Sequence, residues 1–247
     1  MFEAKLSSPL VVVEPLRAAY ELVKDDVAVE INKEGISLRA MDPANVAMVS
    51  LKISKNAFDT YELDKETVIG VNMERLVQVL KRAKRNTIMG IKVEEGKLAI
   101  SYIGAGVRRF SIPLLALESG PRPEPNLNFT VKAVVNSDAL KEAIEDARVV
   151  SDSMIFEARE KELRMIAQGD LGEVETVMRK DEGLEEIEVQ EEAKAKYSLE
   201  YLKKMIKGGR ISSIATLQFK TDYPMRLEFN DVDVNLAFIL APRIDVE

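Results

Sequence analysis

The sequence contains no cysteine, no histidine and no tryptophan, and aromatic residues make up only 6% of its 247 residues. Without cysteine there is no disulfide framework. Without cysteine and histidine there is no thiolate nucleophile, no imidazole base and no His/Cys zinc site. The side chains that remain for catalysis are carboxylates, lysine, tyrosine, serine and threonine. These absences argue against most classes of enzyme and are compatible with an intracellular protein.

Motifs for catalysis and for membrane insertion are also missing. Carboxylates can bind Mg²⁺ or act as acid and base, but no pair has a diagnostic spacing, and most stand beside turns, where aspartate commonly bonds the backbone. The acids in question are Asp42, Asp152, Asp170 and Asp181. A phosphate-binding loop is absent, because five residues separate Gly90 from Gly96 and Leu98 replaces the hydroxyl residue. No apolar run approaches the ~18 residues that cross a bilayer. We therefore expect no enzymatic activity, no metal, no cofactor and no membrane association.

Charge is plentiful, and it is distributed unevenly along the chain. The sequence holds 42 acidic and 35 basic residues, a net charge of −7, yet "VLKRAKR" at 79–85 places four basic residues in seven positions. Residues 72–85 carry a net charge of +4 and residues 197–210 one of +3, which leaves −14 for the rest. Basic helix faces on an acidic body indicate a surface that meets a polyanion. On charge alone, solvated faces of ordinary amphipathic helices stay open as the alternative.

The chain reads as two halves of one design. In "ESGPRPEPNLNF" (118–129), three prolines fall within five positions, which favours an extended connector, with a long surface loop as the alternative. "VNMERLVQVLKRAK" and "YSLEYLKKMIKGGR" each predict an amphipathic helix, and their capping residues, Asn72 and Ser198, are 126 residues apart. An earlier helix is predicted in each half, at 16–22 and 140–148, among many short strand-like runs. Two α+β domains of similar plan follow.

The two basic helices are each predicted to bury an apolar face. The buried positions should be Met73, Leu76, Val77, Leu80 and Ala83 in the first helix, and Leu199, Leu202, Met205 and Ile206 in the second. Gly208 and Gly209 are predicted to end the second helix.

Short motifs in both halves resemble those of the archaeal sliding clamps of the proliferating cell nuclear antigen family. They are "RAMDPANVAMV" (39–49), "IGVNMERL" (69–76), "VSDS" (150–153), "SLEYLKKM" (198–205) and "FILAPRI" (238–244). The combination of "AMDP" and "LAPRI" is the most specific, and the similarity extends over essentially the whole chain. It implies the DNA-clamp fold, with domain 1 at 1–117, an interdomain connector at 118–128 and domain 2 at 129–247. Each domain would place two helices on antiparallel sheets, and three chains would form a six-domain ring around duplex DNA.

On this resemblance the helices line the hole, and their cations are candidates to face DNA phosphates without reading sequence. The DNA-facing candidates are Arg17, Arg75, Lys81, Arg82, Lys141, Arg148, Lys203, Lys204, Lys207 and Arg210. In this family the helix near 72–85 also neighbours the adjacent subunit's helix near 137–148, which here carries a net charge of −2. Pairing across the subunit boundary is therefore an open alternative for Lys81, Arg82, Lys84 and Arg85.

The resemblance further implies that subunits join by strand addition, strand 107–114 of one chain extending the sheet at strand 172–180 of the next. The interface candidates are Arg108, Arg109, Phe110, Glu173, Glu175 and Val177. Phe110 would be the apolar anchor, and the two arginines would face the two glutamates. Without the resemblance, these segments read as internal strands with ordinary surface charge.

A pocket for short partner peptides, which present a glutamine and a hydrophobic-aromatic plug, is the third implied site. Its candidates are Met41, Asn45, Val46, Leu127, Pro224, Ala241, Pro242, Arg243 and Ile244. The expected partners are a replicative DNA polymerase, a clamp loader, a flap endonuclease and a DNA ligase, and the expected location is the cytoplasm, in association with the nucleoid. Two alternatives stay open: one subunit of a heterotrimeric clamp, or a partner-binding scaffold that never encircles DNA.

Overall fold

A computed structural model of the protein describes residues 1–117, 120 and 122–244. The described residues form four α-helices and eighteen strands, so the fold is α+β, as the sequence predicts. The helices are α1 (Leu10–Leu22), α2 (Met73–Leu80), α3 (Ser137–Val150) and α4 (Leu199–Met205). The strands are β1 (Phe2–Leu6), β2 (Asp26–Asn32), β3 (Gly35–Met41), β4 (Ala47–Ser54), β5 (Thr60–Leu63), β6 (Thr67–Asn72), β7 (Ile88–Glu94), β8 (Lys97–Ile103), β9 (Val107–Pro113), β10 (Val131–Asn136), β11 (Ser153–Arg159), β12 (Glu162–Gly169), β13 (Gly172–Lys180), β14 (Gly183–Val189), β15 (Ala193–Ser198), β16 (Ile214–Phe219), β17 (Met225–Asn230) and β18 (Val234–Leu240).

The chain divides into two compact units. Unit 1 consists of Met1–Pro43, Val49–Glu124 and Asp231–Leu236, and unit 2 of Ala44–Met48, Pro125–Asn230 and Ala237–Glu247. Of the predicted connector, Glu118, Ser119 and Pro121 lie outside the described residues. The domain bounds 1–117 and 129–247 stay a prediction. The units add two short segments to the division that a single linker implies.

Unit 1 places α1 and α2 against each other beside two layers of sheet. One layer has the strand order β5-β1-β7-β8-β9, and the other contains β4-β3-β2-β6. Alternating residues of both layers are buried with apolar side chains of the helices, which is the pattern expected for strands that bury one face. Tyr102 of β8 is fully buried, and its hydroxyl donates a hydrogen bond of 3.1 Å to the carbonyl of Val79 in α2. Burial raises the pKa of Tyr102 to about 12.

Unit 2 repeats the plan, with α3 and α4 packed together. Its strands follow the order β15-β11-β12-β13-β14-β10-β16-β17 and are antiparallel except where β13 meets β14. That parallel contact consists of two residue pairs, Arg179 with Gly183 and Lys180 with Leu184. The helix α3 packs across β10 to β13. Its buried residues include Leu140, Ala143 and Ile144, at the spacing of one helix face.

The first basic helix starts as predicted but ends early. The Asn72 side chain accepts the N–H of Arg75 at 3.0 Å, which is the predicted N-cap bond. Met73, Leu76, Val77 and Leu80 are buried, as predicted. The helix ends at Leu80, so Lys81 is its C-cap and Ala83 lies beyond it in a half-buried position. The basic residues after Leu80 therefore belong to a turn rather than to a helix face.

The second basic helix departs further from the prediction. Ser198 occupies the N-cap position but makes no side-chain capping bond. The chain then continues from α4 into a 3-10 turn over Ile206–Arg210, so Gly208 and Gly209 do not end it. A Cβ on Gly208 would lie 2.2 Å from Cδ2 of Phe229, whose ring is fully buried. Close packing therefore requires glycine at 208, not a turn conformation.

Candidate DNA-facing, subunit and peptide-binding surfaces

The cations predicted to face DNA in unit 1 extend from α2 and the turn after it. Arg75, Lys81 and Arg82 are exposed, and they lie opposite the buried apolar face of the helix. Arg17 of α1 instead donates a hydrogen bond of 2.7 Å to Glu14 one turn earlier. Three of the four predicted cations of unit 1 are thus presented to solvent, and the fourth is neutralised within its own helix.

The corresponding cations of unit 2 are divided between α4 and the 3-10 turn. Lys203 is exposed, whereas the Nζ of Lys204 lies 2.8 Å from Oε1 of Glu200 and 4.9 Å from the centroid of the Tyr201 ring. The hydrogen bond from Lys204 lowers the pKa of Glu200. Lys207 is half-buried and Arg210 is exposed on the 3-10 turn. The outward face of α4 is basic, but one of its charges is compensated.

The helix α3 carries charges of both signs on its exposed face. Lys141 lies 3.9 Å from Glu145, one turn further along, and Arg148 stands in the last turn, where a cation interacts favourably with the helix dipole. The exposed acids are Asp138, Glu142, Glu145 and Asp146. This face therefore presents acids to any neighbour as well as its two cations.

The strand β9, which holds the first group of interface candidates, is the last strand of its layer. Among the described residues it is hydrogen-bonded to β8 alone, so its second edge is open. Phe110 is half-buried, with its ring centroid 6.0 Å from that of Tyr102, and Val107 is 51% exposed. An unpaired edge is a template for a further strand.

The two arginines of β9 point to opposite faces of the strand. Successive side chains alternate in a strand, and Arg108 falls on the face of Phe110 and buried Ile112. Its guanidinium lies 5.2 Å from the Tyr102 ring centroid and donates a hydrogen bond of 3.3 Å to the Arg82 carbonyl. Arg109 is exposed on the other face and has no side-chain partner in the described part of the chain. The two residues therefore differ in what they can reach.

The strand β13, which holds the second group, is open over most of its length. It pairs with β12 from Gly172 to Met178, but its pairing with β14 begins only at Arg179. Glu173, Glu175 and Val177 share the exposed face, because buried Met178 belongs to the other set of alternating residues. The Glu175 carboxylate accepts a hydrogen bond of 3.2 Å from Arg164, whereas Glu173 has no side-chain partner among the described residues.

The candidates for the peptide pocket lie in unit 2 with the exception of Met41, which belongs to unit 1. The N–H of Ala241 donates to the Val46 carbonyl at 3.0 Å, so the structure brings these two candidates together. Asn45 is exposed and has a positive φ of 56°, which asparagine tolerates in turns. Leu127 and Pro224 are half-buried and Ile244 is 68% exposed. Exposed apolar side chains beside an extended segment suit a peptide-binding surface.

Arg243 makes two contacts that the sequence did not indicate. Its N–H donates to the Lys196 carbonyl at 2.7 Å, and its guanidinium donates to Oδ2 of Asp152 at 2.7 Å. The hydrogen bond from Arg243 lowers the pKa of Asp152. The residues that sequence reasoning missed are therefore Asp152 and Lys196. The quoted "VSDS" motif was the one signal that pointed toward Asp152.

Searches for other kinds of site gave limited results. Within residues 1–117, 120 and 122–244, no three His, Cys, Asp or Glu side chains are grouped as metal ligands would be. None of the helices in the described part of the chain has the length and apolar content to cross a membrane.

Comparison with known proteins gives one consistent family. The family models described as "Proliferating cell nuclear antigen, N-terminal domain" and "C-terminal domain" match residues 1–106 and 124–244. The chain is 44% identical to a DNA polymerase sliding clamp of Pyrococcus abyssi and 40% identical to one of Thermococcus onnurineus, in each case over 224 residues and 90% of both chains. Among solved structures, PCNA from Thermococcus kodakaraensis superimposes with a TM-score of 0.91 at 31% identity, covering 98% of this chain and 100% of that one.

Proposed function

Since the chain belongs to the proliferating cell nuclear antigen family of sliding clamps, we propose that three copies close into a ring around duplex DNA and tether replication and repair enzymes to it. The family has the α+β clamp fold and acts as a processivity factor without catalysis, so the chain is not an enzyme. The ring, the surface that faces DNA and the peptide pocket are the elements of the proposal.

The observation that carries the proposal is the pair of open strand edges, one in each unit. The edge of β9 and the 172–178 edge of β13 have no partner strand among the described residues. Edges on two different surface patches allow head-to-tail joining, and such a heterologous contact gives a ring when its rotation closes. Main-chain hydrogen bonds between β9 and β13 would satisfy both edges.

The number of helices is consistent with a hole that admits DNA. Three chains with the four described helices each would place twelve helices around the hole. At roughly 9 Å between neighbouring axes, such a circle is on the order of 35 Å across. Subtracting a helix diameter of ~10 Å leaves about 25 Å, and a B-DNA duplex is about 20 Å wide. A water-filled gap would keep contacts with phosphates loose, which suits sliding.

At the subunit boundary, the geometry supports different partners for the two arginines of β9. Arg109 and the two glutamates of β13 lie on the exposed faces of their strands, so addition of one strand to the other would place them on one surface. Arg108 lies on the opposite face, with the Arg82 carbonyl. We assign Arg109 to Glu173 and Glu175. Arg108, Lys84 and Arg85 then stand on the side where the acids of a neighbouring α3 would lie.

Ring formation is tested by light scattering after size exclusion. The wild type should have three times the chain mass of 27.6 kDa. Arg109→Glu should shift the equilibrium toward monomer at micromolar concentration, and Arg109→Glu/Glu173→Arg should restore the trimer. Lys52→Glu, an exposed charge reversal on β4, is the matched control and should stay trimeric. A wild-type monomer would contradict the homotrimer; a trimer formed only with a second type of clamp chain would favour the heterotrimeric alternative.

Encirclement is tested on circular DNA. Lys203→Glu/Lys207→Glu should reduce polymerase processivity on a primed circle and shorten retention of the loaded clamp, because two phosphate-facing charges are reversed. The mass of the trimer should be unchanged. Undiminished processivity in this variant would reject the DNA-facing assignment. A trimer that is never retained on closed circles would favour the non-encircling scaffold.

Tethering is tested by titration with a synthetic peptide that carries a glutamine followed by a hydrophobic-aromatic plug. Leu127→Ala and Ile244→Ala should each weaken binding about tenfold, as expected for apolar anchors in a pocket. Both variants should remain trimeric. The same variants should lose stimulation by the proposed partners, namely the polymerase, clamp loader, flap endonuclease and ligase. Unaltered peptide binding would place the pocket elsewhere.

A further inference from the structure

The C-terminal segment 241–244 follows β18 without belonging to any strand, yet it is held at three points. The N–H of Ala241 donates to Val46, the N–H of Arg243 donates to Lys196, and the guanidinium of Arg243 donates to Asp152. Only the last of these bonds comes from a side chain. Ile244, the exposed apolar residue of the proposed pocket, follows directly.

Asp152 is itself fixed by the turn that links α3 to β11. Its carbonyl accepts the N–H of Leu199, the first residue of α4, at 3.0 Å. On either side, Ser151 donates its N–H to Ala147 at 3.0 Å, and its hydroxyl oxygen accepts the N–H of Ser153 at 3.3 Å. The carboxylate that reaches Arg243 is therefore attached to a rigid backbone.

Unit 1 contains the same turn without the ion pair. The carbonyl of Asp25 accepts the N–H of Met73, the first residue of α2, at 3.3 Å, as Asp152 does for α4. The Asp25 carboxylate is exposed and has no side-chain partner among the described residues. The turn thus forms whether or not its aspartate pairs with an arginine. Pairing of the carboxylate is a property of unit 2 alone and calls for a separate explanation.

We propose that Asp152 is a positioning residue for the partner-peptide pocket, because its bond to Arg243 holds residues 241–244 in the course that presents Ile244. This inference rests on the proposed peptide-binding function. Arg243 acts as an anchor of the pocket wall, with its guanidinium directed to Asp152 rather than to an acidic group of the peptide. Bound peptide then meets a segment that is already ordered, and less conformational freedom is lost on binding.

The primary test compares Asp152→Asn with Asp25→Asn, its counterpart in unit 1. Asparagine keeps the shape of the side chain and removes the charge. Asp152→Asn should weaken binding of the glutamine-containing peptide about threefold, the size expected for an exposed ion pair. Hydrogen–deuterium exchange in a peptic fragment covering 241–244 should become faster. Asp25→Asn should change neither quantity, and both variants should keep the trimer mass and the far-ultraviolet circular dichroism of the wild type.

A double-mutant cycle separates anchoring from a general effect of charge. Arg243→Gln should cost about as much affinity as Asp152→Asn, and the double variant should cost no more than either. The exchanged pair Asp152→Arg/Arg243→Asp should recover part of the lost affinity. Additive losses, or an equal loss in Asp25→Asn, would overturn the proposal.

The two readouts also distinguish failure of this proposal from failure of the pocket. If Asp152→Asn leaves the exchange of 241–244 unchanged, the anchor does not exist, even though Ile244→Ala still weakens the peptide. If the wild type does not bind the peptide or Ile244→Ala has no effect, the pocket is wrong, and Asp152 loses its assigned role even where exchange becomes faster.

Discussion

The two basic helices show how one plan is used differently in the two units. In unit 1, α2 is capped by Asn72, ends at Leu80, and leaves Lys81 and Arg82 exposed in a turn. In unit 2, α4 has no side-chain cap and continues into a 3-10 turn. The first helix is stabilised locally and keeps its cations available. The second depends on tertiary packing.

This difference indicates what the shared design requires and what it leaves free. Both helices bury apolar residues at the same spacing, and both begin with an N–H bonded to the carbonyl of a turn aspartate. Neither the side-chain cap nor the mode of termination is shared. Burial of an apolar face is therefore the common requirement, while the ends vary with what each helix contacts.

The largest effect is expected from Gly208→Ala, which attacks the packing peculiar to unit 2. A Cβ placed 2.2 Å from the buried Phe229 ring forces the ring or the 3-10 turn to move. Overpacking of this kind should lower the free energy of unfolding by about 3 kcal/mol. Gly106→Ala in unit 1, where a Cβ meets no atom within 4 Å, is the control. Denaturant unfolding measures both; equal small effects would mean that the close packing is relaxed at little cost.

A smaller effect is expected at the helix starts. Asn72→Ala removes a capping bond of 3.0 Å and should lower the free energy of unfolding by about 1 kcal/mol. Ser198→Ala should cost only a few tenths, because Ser198 makes no side-chain cap bond. Thermal or denaturant unfolding of the two variants measures the contrast, and equal losses would remove the distinction between local and tertiary stabilisation.

Within α4, neutralising two neighbouring lysines should have unequal effects on DNA binding. Lys203→Gln should reduce the slope of log binding constant against log salt by about 0.9, the value for one phosphate contact. Lys204→Gln should change it by less than half as much, since Lys204 is already paired with Glu200. Affinity for a short duplex measured between about 50 and 200 mM salt gives both slopes. An equal change for both would show that the pair with Glu200 opens on DNA.

The smallest expected effect concerns the ionisation of Asp152. The hydrogen bond from Arg243 lowers the pKa of the folded state, so this contribution to stability is present at neutral pH and is lost as pH falls through the lowered value. Arg243→Ala should raise the pKa of Asp152 toward its ordinary value. Carbon-13 carboxyl titration by NMR follows the shift; the absence of a shift would contradict a persistent ion pair.

Residues close in sequence were the most predictable part of the fold. The spacing of Met73, Leu76, Val77 and Leu80 fixed both the existence of α2 and its buried face, and Asn72 marked its start. The pairing of Glu200 with Lys204 was also within reach, because glutamate four residues before lysine is the favourable order in a helix. Motif similarity supplied the family and the order of the elements.

Contacts between distant residues were not predictable from one sequence. Asp152 and Arg243 are 91 positions apart, and no local pattern links them. The close contact of Gly208 with Phe229 likewise depends on how the 3-10 turn packs on β17. Alternation along β9 did carry a usable signal, since neighbouring arginines cannot share a face. The opposite directions of Arg108 and Arg109 followed from that rule, but their partners did not.

The acidic side chains of the open β13 edge also bear on which assemblies are disfavoured. Glu173 and Glu175 occupy one face of this edge. When two copies approach through the same edge, these carboxylates are brought together and repel each other. Two-fold dimers through β13 are therefore selected against while the protein is still unassembled, and a freshly made subunit is kept in reserve for a partner of opposite charge.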